Sequence, residues 1–152
     1  MKQSYDIVQA TLQDLEEVAF VFNEYRMFYA QETDVQRARQ FLTERLERRE
    51  SIIFIAKTSS RTALAGFAQI YPVFSSISMQ RSLILNDLYV KETDRGRGVG
   101  QLLLEAAKTY GKQQKAKELV LSTSINNTTA QRLYEKNGYV RDEEFTHYYL
   151  SL

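Results

Sequence analysis

The run Arg95-Gly96-Arg97-Gly98-Val99-Gly100 places three glycines on alternating positions beside two arginines. Glycine lets backbone N–H groups approach an anion with no Cβ in the way. Where such a run opens a helix, the unpaired amides of the first turn and the positive end of the helix dipole make an anion site. Arg95, Arg97 and Lys91 add full charges around the same point, so the chemistry indicated is phosphate binding. The helix that must follow is marked by Val99, Leu102, Leu103, Ala106, Ala107 and Tyr110 at helical spacing, with Gly111 as its stop. In front of the loop, residues 83–90 (Leu-Ile-Leu-Asn-Asp-Leu-Tyr-Val) contain no Gly or Pro and read as a central strand covered on both faces.

Three phosphate-binding patterns can be set against this strand, loop and helix. A nucleoside-triphosphate loop needs Lys-Ser/Thr after its last glycine, where Gln101 and Leu102 stand. A dinucleotide fingerprint needs a glycine at Gln101 and an acidic residue ending the next strand, whereas Glu118 begins it. The pattern Arg/Gln-x-x-Gly-x-Gly/Ala is met by Arg95, Gly98 and Gly100 after Val90. An independent second motif spans residues 127–139, Asn-Thr-Thr-Ala-Gln-Arg-Leu-Tyr-Glu-Lys-Asn-Gly-Tyr. Together the two resemble the GNAT (GCN5-related) N-acetyltransferase superfamily over residues 83–139.

The resemblance implies an enzyme that transfers acetyl from acetyl-CoA directly to an amine in a ternary complex. The pyrophosphate would rest on Arg95, Gly96, Arg97, Gly98, Val99 and Gly100. The pantetheine arm would lie along the backbone of Leu88, Tyr89 and Val90 and against Asn127, and Tyr134 would supply a proton to the departing thiolate. Asn127 also reads as a helix N-cap and Tyr134 as part of an apolar helix stripe, and both pairs of readings stand open. An alkyl amine with a pKa of about 10 arrives protonated, so a base must act before attack. Residues 85–90 resemble the polyamine and thialysine branch, which carries Glu-Asp where this chain has Asn86-Asp87. Asn86 cannot be a base, which leaves Asp87, Glu24 or a chain of waters. A primary-amine pocket is expected from Glu24, Tyr29, Tyr71, Phe74, Ser75 and Asn86, since aromatic faces suit a cation and its alkyl stem. Acetylation of a protein lysine or N-terminus, and a non-catalytic acyl-CoA-binding module, are the alternatives. His147, the one histidine, reads as structural.

Composition narrows the classes. The chain has 152 residues, 43% of them apolar, which suits a single domain over residues 1–152. Its net charge of +1 advertises neither nucleic acid nor membrane as a partner. The absence of cysteine rules out disulfides, thiolate metal sites and an acyl-cysteine intermediate, and no metal is expected. No apolar leader or membrane-length run stands in the sequence, so a cytoplasmic protein is expected, and the family resemblance adds a homodimer.

The remaining elements follow from local pattern. Residues 5–10 read as a strand. Thr11 with Asp14 forms a capping box before a long helix that carries Glu24 and Tyr29 near its end. A second helix is expected over 34–49. A hairpin of strands 51–57 and 62–71 should follow, with a bulge at Gly66 and a stop at Pro72, then a turn over 73–79 rich in serine. A short parallel strand over 118–123 precedes a last helix, capped by Asn126 or Asn127 and closed by Gly138. Residues 139–141 and 145–150 alternate like a closing hairpin. The whole is expected to be a GNAT-like α/β (α+β) fold: a mixed sheet of about seven strands, parallel at its centre and otherwise antiparallel, flanked by four helices.

Overall fold

The computed structural model describes residues 3–60 and 63–152. Four α-helices and a five-stranded sheet are present among them. In chain order these are β1 (Tyr5–Gln9), α1 (Leu15–Phe28), α2 (Val35–Glu47), β2 (Ile52–Thr58), β3 (Leu64–Ser75), β4 (Gln80–Val90), α3 (Val99–Gln113), β5 (Leu119–Val120) and α4 (Thr128–Lys136). Single 3-10 turns, Leu12–Asp14 and Glu92–Asp94, precede α1 and the glycine loop. The chain divides into two compact units, Met1–Ser122 and Thr123–Leu152.

In the first unit the strands run in chain order across the sheet, antiparallel from β1 to β4, with β4 and β5 parallel. The entry to α1 is the expected capping box. The Thr11 hydroxyl accepts from Gln13 N, and Thr11 N donates to Asp14 Oδ2 at 2.9 Å. That main-chain donor holds the Asp14 carboxyl below its usual pKa, helped by Lys57 Nζ at 3.3 Å. Helices α1 and α2 cover one face of the sheet, where Val18, Phe22, Leu42, Ile53, Ile55 and Phe67 form the core. Leu42, Ile53, Ile55 and Phe67 are completely buried, each contributing about 1.5–3 kcal/mol. Helix α3 covers the other face, with Gly111 against Leu83 and Leu119, and Tyr110 edge-on to Phe54 at 5.9 Å.

Two bulges shape the sheet. Ala56 pairs with Gly66 and Lys57 with Leu64, so β3 carries one extra residue beside Gly66. The glycine is required there because a Cβ would fall 2.4 Å from Tyr89 O. Gln69 pairs with Asp87 but Ile70 with Leu85, so Asn86 is an extra residue in β4. On its other side β4 pairs with β5 only through Leu83 and Ile84. Among the described residues of this unit, the β5-facing edge of β4 is therefore open beyond the bulge.

Several expectations are corrected. The sheet has five strands rather than about seven, and its one parallel pair lies at the edge. Residues 139–141 and 145–150 form no ladder; alternation makes a segment competent for pairing but supplies no partner, and Phe145, Tyr148, Tyr149 and Leu150 stand exposed. Pro72 does not stop β3. It lies within the strand opposite Leu83, beyond Ile70 where pairing with β2 ends, so its missing N–H costs no bond on that side. Gly111 does not stop α3 but is buried within it, and Lys115 takes up the left-handed backbone just after the C-cap at Gln114. Thr62, the expected start of β3, lies outside the described residues.

In the second unit Asn127 caps α4, accepting from Ala130 N at 3.2 Å. Gly138, at φ +90°, closes it as expected: Gly138 N donates to Glu135 O and Tyr139 N to Tyr134 O, each at 3.1 Å.

Candidate active site

The glycine loop has the backbone its sequence requires. Gly96 and Gly98 adopt φ +74° and +82°, and Gly98 is the N-cap of α3. No atom lies within 4 Å of where a Cβ would stand on either residue, so these glycines serve conformation and access rather than close packing. Among the described residues, no main-chain acceptor pairs with the amides of Gly96, Arg97, Gly98, Val99 or Gly100. Those amides and the end of a 15-residue helix are an arrangement that could hold an anion.

The flank of the loop is fixed by contacts that the motif does not reveal. Asp94, 1% exposed, accepts from Tyr5 Oη at 2.9 Å and from Thr93 Oγ1 at 3.0 Å, tying the loop to β1. Arg97 Nη1 donates to Gln3 Oε1 at 3.0 Å. Arg95 is engaged away from the amides. Its Nε donates to Val90 O at 2.9 Å, and its guanidinium lies 5.3 Å from the Phe28 ring and 5.7 Å from the Tyr89 ring. Of the expected strand contacts, Leu88, Tyr89 and Val90 pair with Ala68, Phe67 and Gly66 on the β3 side and lie on the open stretch of β4 on the other.

The face of β3 and β4 under α1 gathers most of the expected acceptor residues. Tyr89 and Asp87 pair with Phe67 and Gln69 across the strands. The Tyr25 ring meets Tyr29, Phe67 and Tyr89 at 5.1, 5.5 and 5.8 Å, building an aromatic wall. Glu24 lies beside this wall with Lys91 Nζ at 3.3 Å. Burial, and less strongly the Glu24 charge, push the Tyr89 hydroxyl upward in pKa. Tyr71 is half-buried and pushed up to about 12, chiefly by burial and then by the Asp87 charge, against the opposing effect of Arg45.

Phe74 and Ser75 do not join this group. They pair with Arg81 and Gln80 at the hairpin tip, about 20 Å along β4 from Asp87. Phe74 is exposed and stacks on the Arg81 guanidinium at 5.6 Å.

Asp87 is 6% exposed. Its Oδ2 accepts from Gln69 Nε2 at 2.8 Å and its Oδ1 from Asn86 Nδ2 at 3.1 Å. Sequence reasoning missed Gln69 and Ser51, whose hydroxyl donates to Gln69 Oε1 at 2.7 Å. The only signal was a glutamine in the interior of an apolar strand.

In the second unit, the Tyr134 ring lies 5.8 Å from the Tyr139 ring on α4 and its exit turn. Asn127 is occupied as the N-cap. His147 stands exposed, 3.5 Å from Asp142. Among the described residues no cluster of His, Asp or Glu could hold a metal ion, and no helix is long and apolar enough to cross a membrane.

Comparison with known proteins bears on both motifs. A Bacillus subtilis protein named as the uncharacterized N-acetyltransferase YhfO is 48% identical over 147 residues, covering 97% of each chain. The solved structure of a probable acetyltransferase matches with TM-score 0.92 at 42% identity, again over 97% of both chains. The structure of an aminoglycoside N-acetyltransferase in complex with CoA matches in fold, with TM-score 0.80 at 21% identity, over 100% of this chain and 98% of that one. The profile of the Acetyltransferase (GNAT) family matches residues 10–139, and the chain, an acetyltransferase, belongs to that family.

Proposed function

We propose that the protein transfers the acetyl group of acetyl-CoA to the primary amine of a small molecule. The observation that carries this reading is one juxtaposition in the first unit. The amides of residues 96–100 at the start of α3, which have no main-chain acceptor among the described residues, follow directly on the edge of β4 at Leu88, Tyr89 and Val90 that is open among the described residues of this unit. The loop suits a pyrophosphate, and the strand edge suits an extended, amide-containing arm bonded as an added strand. The CoA complex of the aminoglycoside enzyme of the same fold supports this choice. Arg95, held by Val90 O and two rings, would shape the loop and add positive potential, leaving the phosphate contacts to the backbone.

In the reaction the acceptor ammonium first gives a proton to a base, for which Asp87 is our assignment. The nitrogen then bonds to the thioester carbonyl carbon. As the C–S bond breaks, the CoA sulfur takes the hydroxyl proton of Tyr134, and the proton lost by the new amide nitrogen restores that tyrosine. The net release is one proton. The aromatic wall of Tyr25, Tyr29 and Tyr89, with Glu24 beside it, favours an alkylammonium over a neutral acceptor. A net charge of +1 gives no acidic excess to draw a long polycation, which favours a monoamine or a zwitterionic amino acid.

Calorimetric titration with acetyl-CoA tests the cofactor half of this reading. Wild type is expected to bind and Gly98→Asp to lose binding; equal affinity in the two would remove the loop from the account.

A further inference from the structure

Ser51, Gln69 and Asp87 form a continuous buried chain on the α1/α2 face of the sheet. Gln69 is completely buried, and Ser51 and Asp87 are each 6% exposed. The direction of the chain is fixed by its chemistry. The Ser51 hydroxyl donates to Gln69 Oε1, so the Gln69 amide must present its NH2 to Asp87 Oδ2. A flipped amide would set carbonyl oxygen against carboxylate. Asn86, the bulge residue, donates to the other oxygen.

Both donors are neutral amides. Among the described residues no Lys, Arg or His lies within 4.0 Å of the Asp87 carboxylate. A nearly buried carboxylate without a cation is costly in a purely structural role, and such groups concentrate at functional sites. Tyr71 and Arg45 face this end of the network, with Tyr89, Glu24 and Arg95 next along the same face.

We propose that Gln69, oriented by Ser51, is a positioning residue that holds the Asp87 carboxylate in one orientation to receive the ammonium proton of the acceptor. The acceptor ammonium is then the cation that this carboxylate meets, and the acceptor is recognised as a cation. This rests on the assignment of Asp87 as base made above. Hydrogen bonds to the charged form of a carboxyl favour that form, so loss of the Gln69 amide must make Asp87 easier to protonate.

The test follows the side-chain carboxyl of Asp87 by carbon NMR through a pH titration. Alongside it, kcat/KM is measured against pH with the most active of n-butylamine, spermidine and lysine. In Gln69→Leu the Asp87 titration and the acid limb of kcat/KM should both move up by about one pH unit, with kcat reduced about tenfold. Gln69→Glu should move the limb further, since two carboxylates then share the site. Ser51→Ala breaks the chain one bond further out and should shift both readouts upward by less, and it carries the test if the Gln69 variants fail to fold. A limb that stays at its wild-type position in the folded variants, while Asp87→Asn is inactive, overturns the role of Gln69 and leaves Asp87 as base. Wild-type activity in Asp87→Asn overturns the base assignment and this inference with it.

Discussion

The glycine loop and the Asp87 network lie at opposite ends of one step along the chain, yet they are built on different principles. The loop is a backbone device. Positive φ at Gly96 and Gly98 sets the course of the main chain, and no side chain on those residues takes part. The network is a side-chain device, in which Ser51, Gln69, Asn86 and Asp87 come from β4 and from β3 and its neighbour strand's approach, and are aligned by a bulge. A backbone device tolerates many side chains around it and fails when conformation or local charge is wrong. A side-chain device tolerates no loss of a partner, because the group left behind is buried and unpaired.

The largest expected effect tests the loop. Gly98→Asp places negative charge at the amides and a side chain at φ +82°, and acetyl-CoA affinity should fall more than a hundredfold by calorimetry. Gly98→Ala introduces only the left-handed strain, about 1–2 kcal/mol, with open space for its methyl group, and should retain measurable binding. If Ala and Asp prove equally harmful, conformation rather than charge dominates the loop.

Next in size is Tyr134→Phe, which keeps the ring and removes the hydroxyl. Turnover should fall about a hundredfold with acetyl-CoA affinity unchanged, the range typical of general acid catalysis. Unchanged turnover across pH would leave Tyr134 as a packing residue beside Tyr139.

Gly66→Ala separates stability from chemistry. Its methyl would fall 2.4 Å from Tyr89 O, a backbone atom that cannot swing away, so β3 and β4 must part. A loss of about 2 kcal/mol is expected, read as a drop in Tm of roughly 4–8 °C. A wild-type Tm would show that the two strands can separate freely at that point.

The smallest effect lies at the entry to α1. Asp14→Asn should cost about 0.5 kcal/mol at neutral pH by chemical denaturation. The Asp14 pKa is depressed in the folded state, so its contribution is present above the ordinary carboxyl pKa. It is lost as pH falls through the lowered value, and the gap between wild type and variant should close in acid. A gap independent of pH would assign the effect to geometry instead of charge.

How much of this was legible in the sequence follows the same division. Local rules gave the loop, the capping box of Thr11 and Asp14, the Asn127 cap and the Gly138 closure, because each depends on residues within a few positions of one another. Pro72 and Gly111 depart from the local rules because their tolerance is decided by partners distant in sequence: the end of pairing with β2 at Ile70, and the approach of Leu83 and Leu119. Gln69 and Ser51 could not be singled out, since their chemistry exists only once β3 is registered against β4 with Asn86 as the extra residue. Phe74 and Ser75 share the composition of a pocket wall, but register sets them at the hairpin tip.

The central claim is amine-dependent transfer from acetyl-CoA, and release of CoA thiol tests it most directly. The chain contains no cysteine, so a thiol reagent meets no background from the protein. Purified protein is given acetyl-CoA with n-butylamine, spermidine, lysine, a histone-tail peptide or no acceptor, and the acetylated product is identified by mass. The account predicts thiol release that requires a small primary amine, equals the acetylated amine mole for mole, and exceeds that with the peptide in kcat/KM. A peptide preferred by more than about tenfold, roughly 1.4 kcal/mol in transition-state binding, would contradict the small-amine reading, and acetyl-CoA binding without acceptor-dependent thiol from any of them would contradict transfer itself.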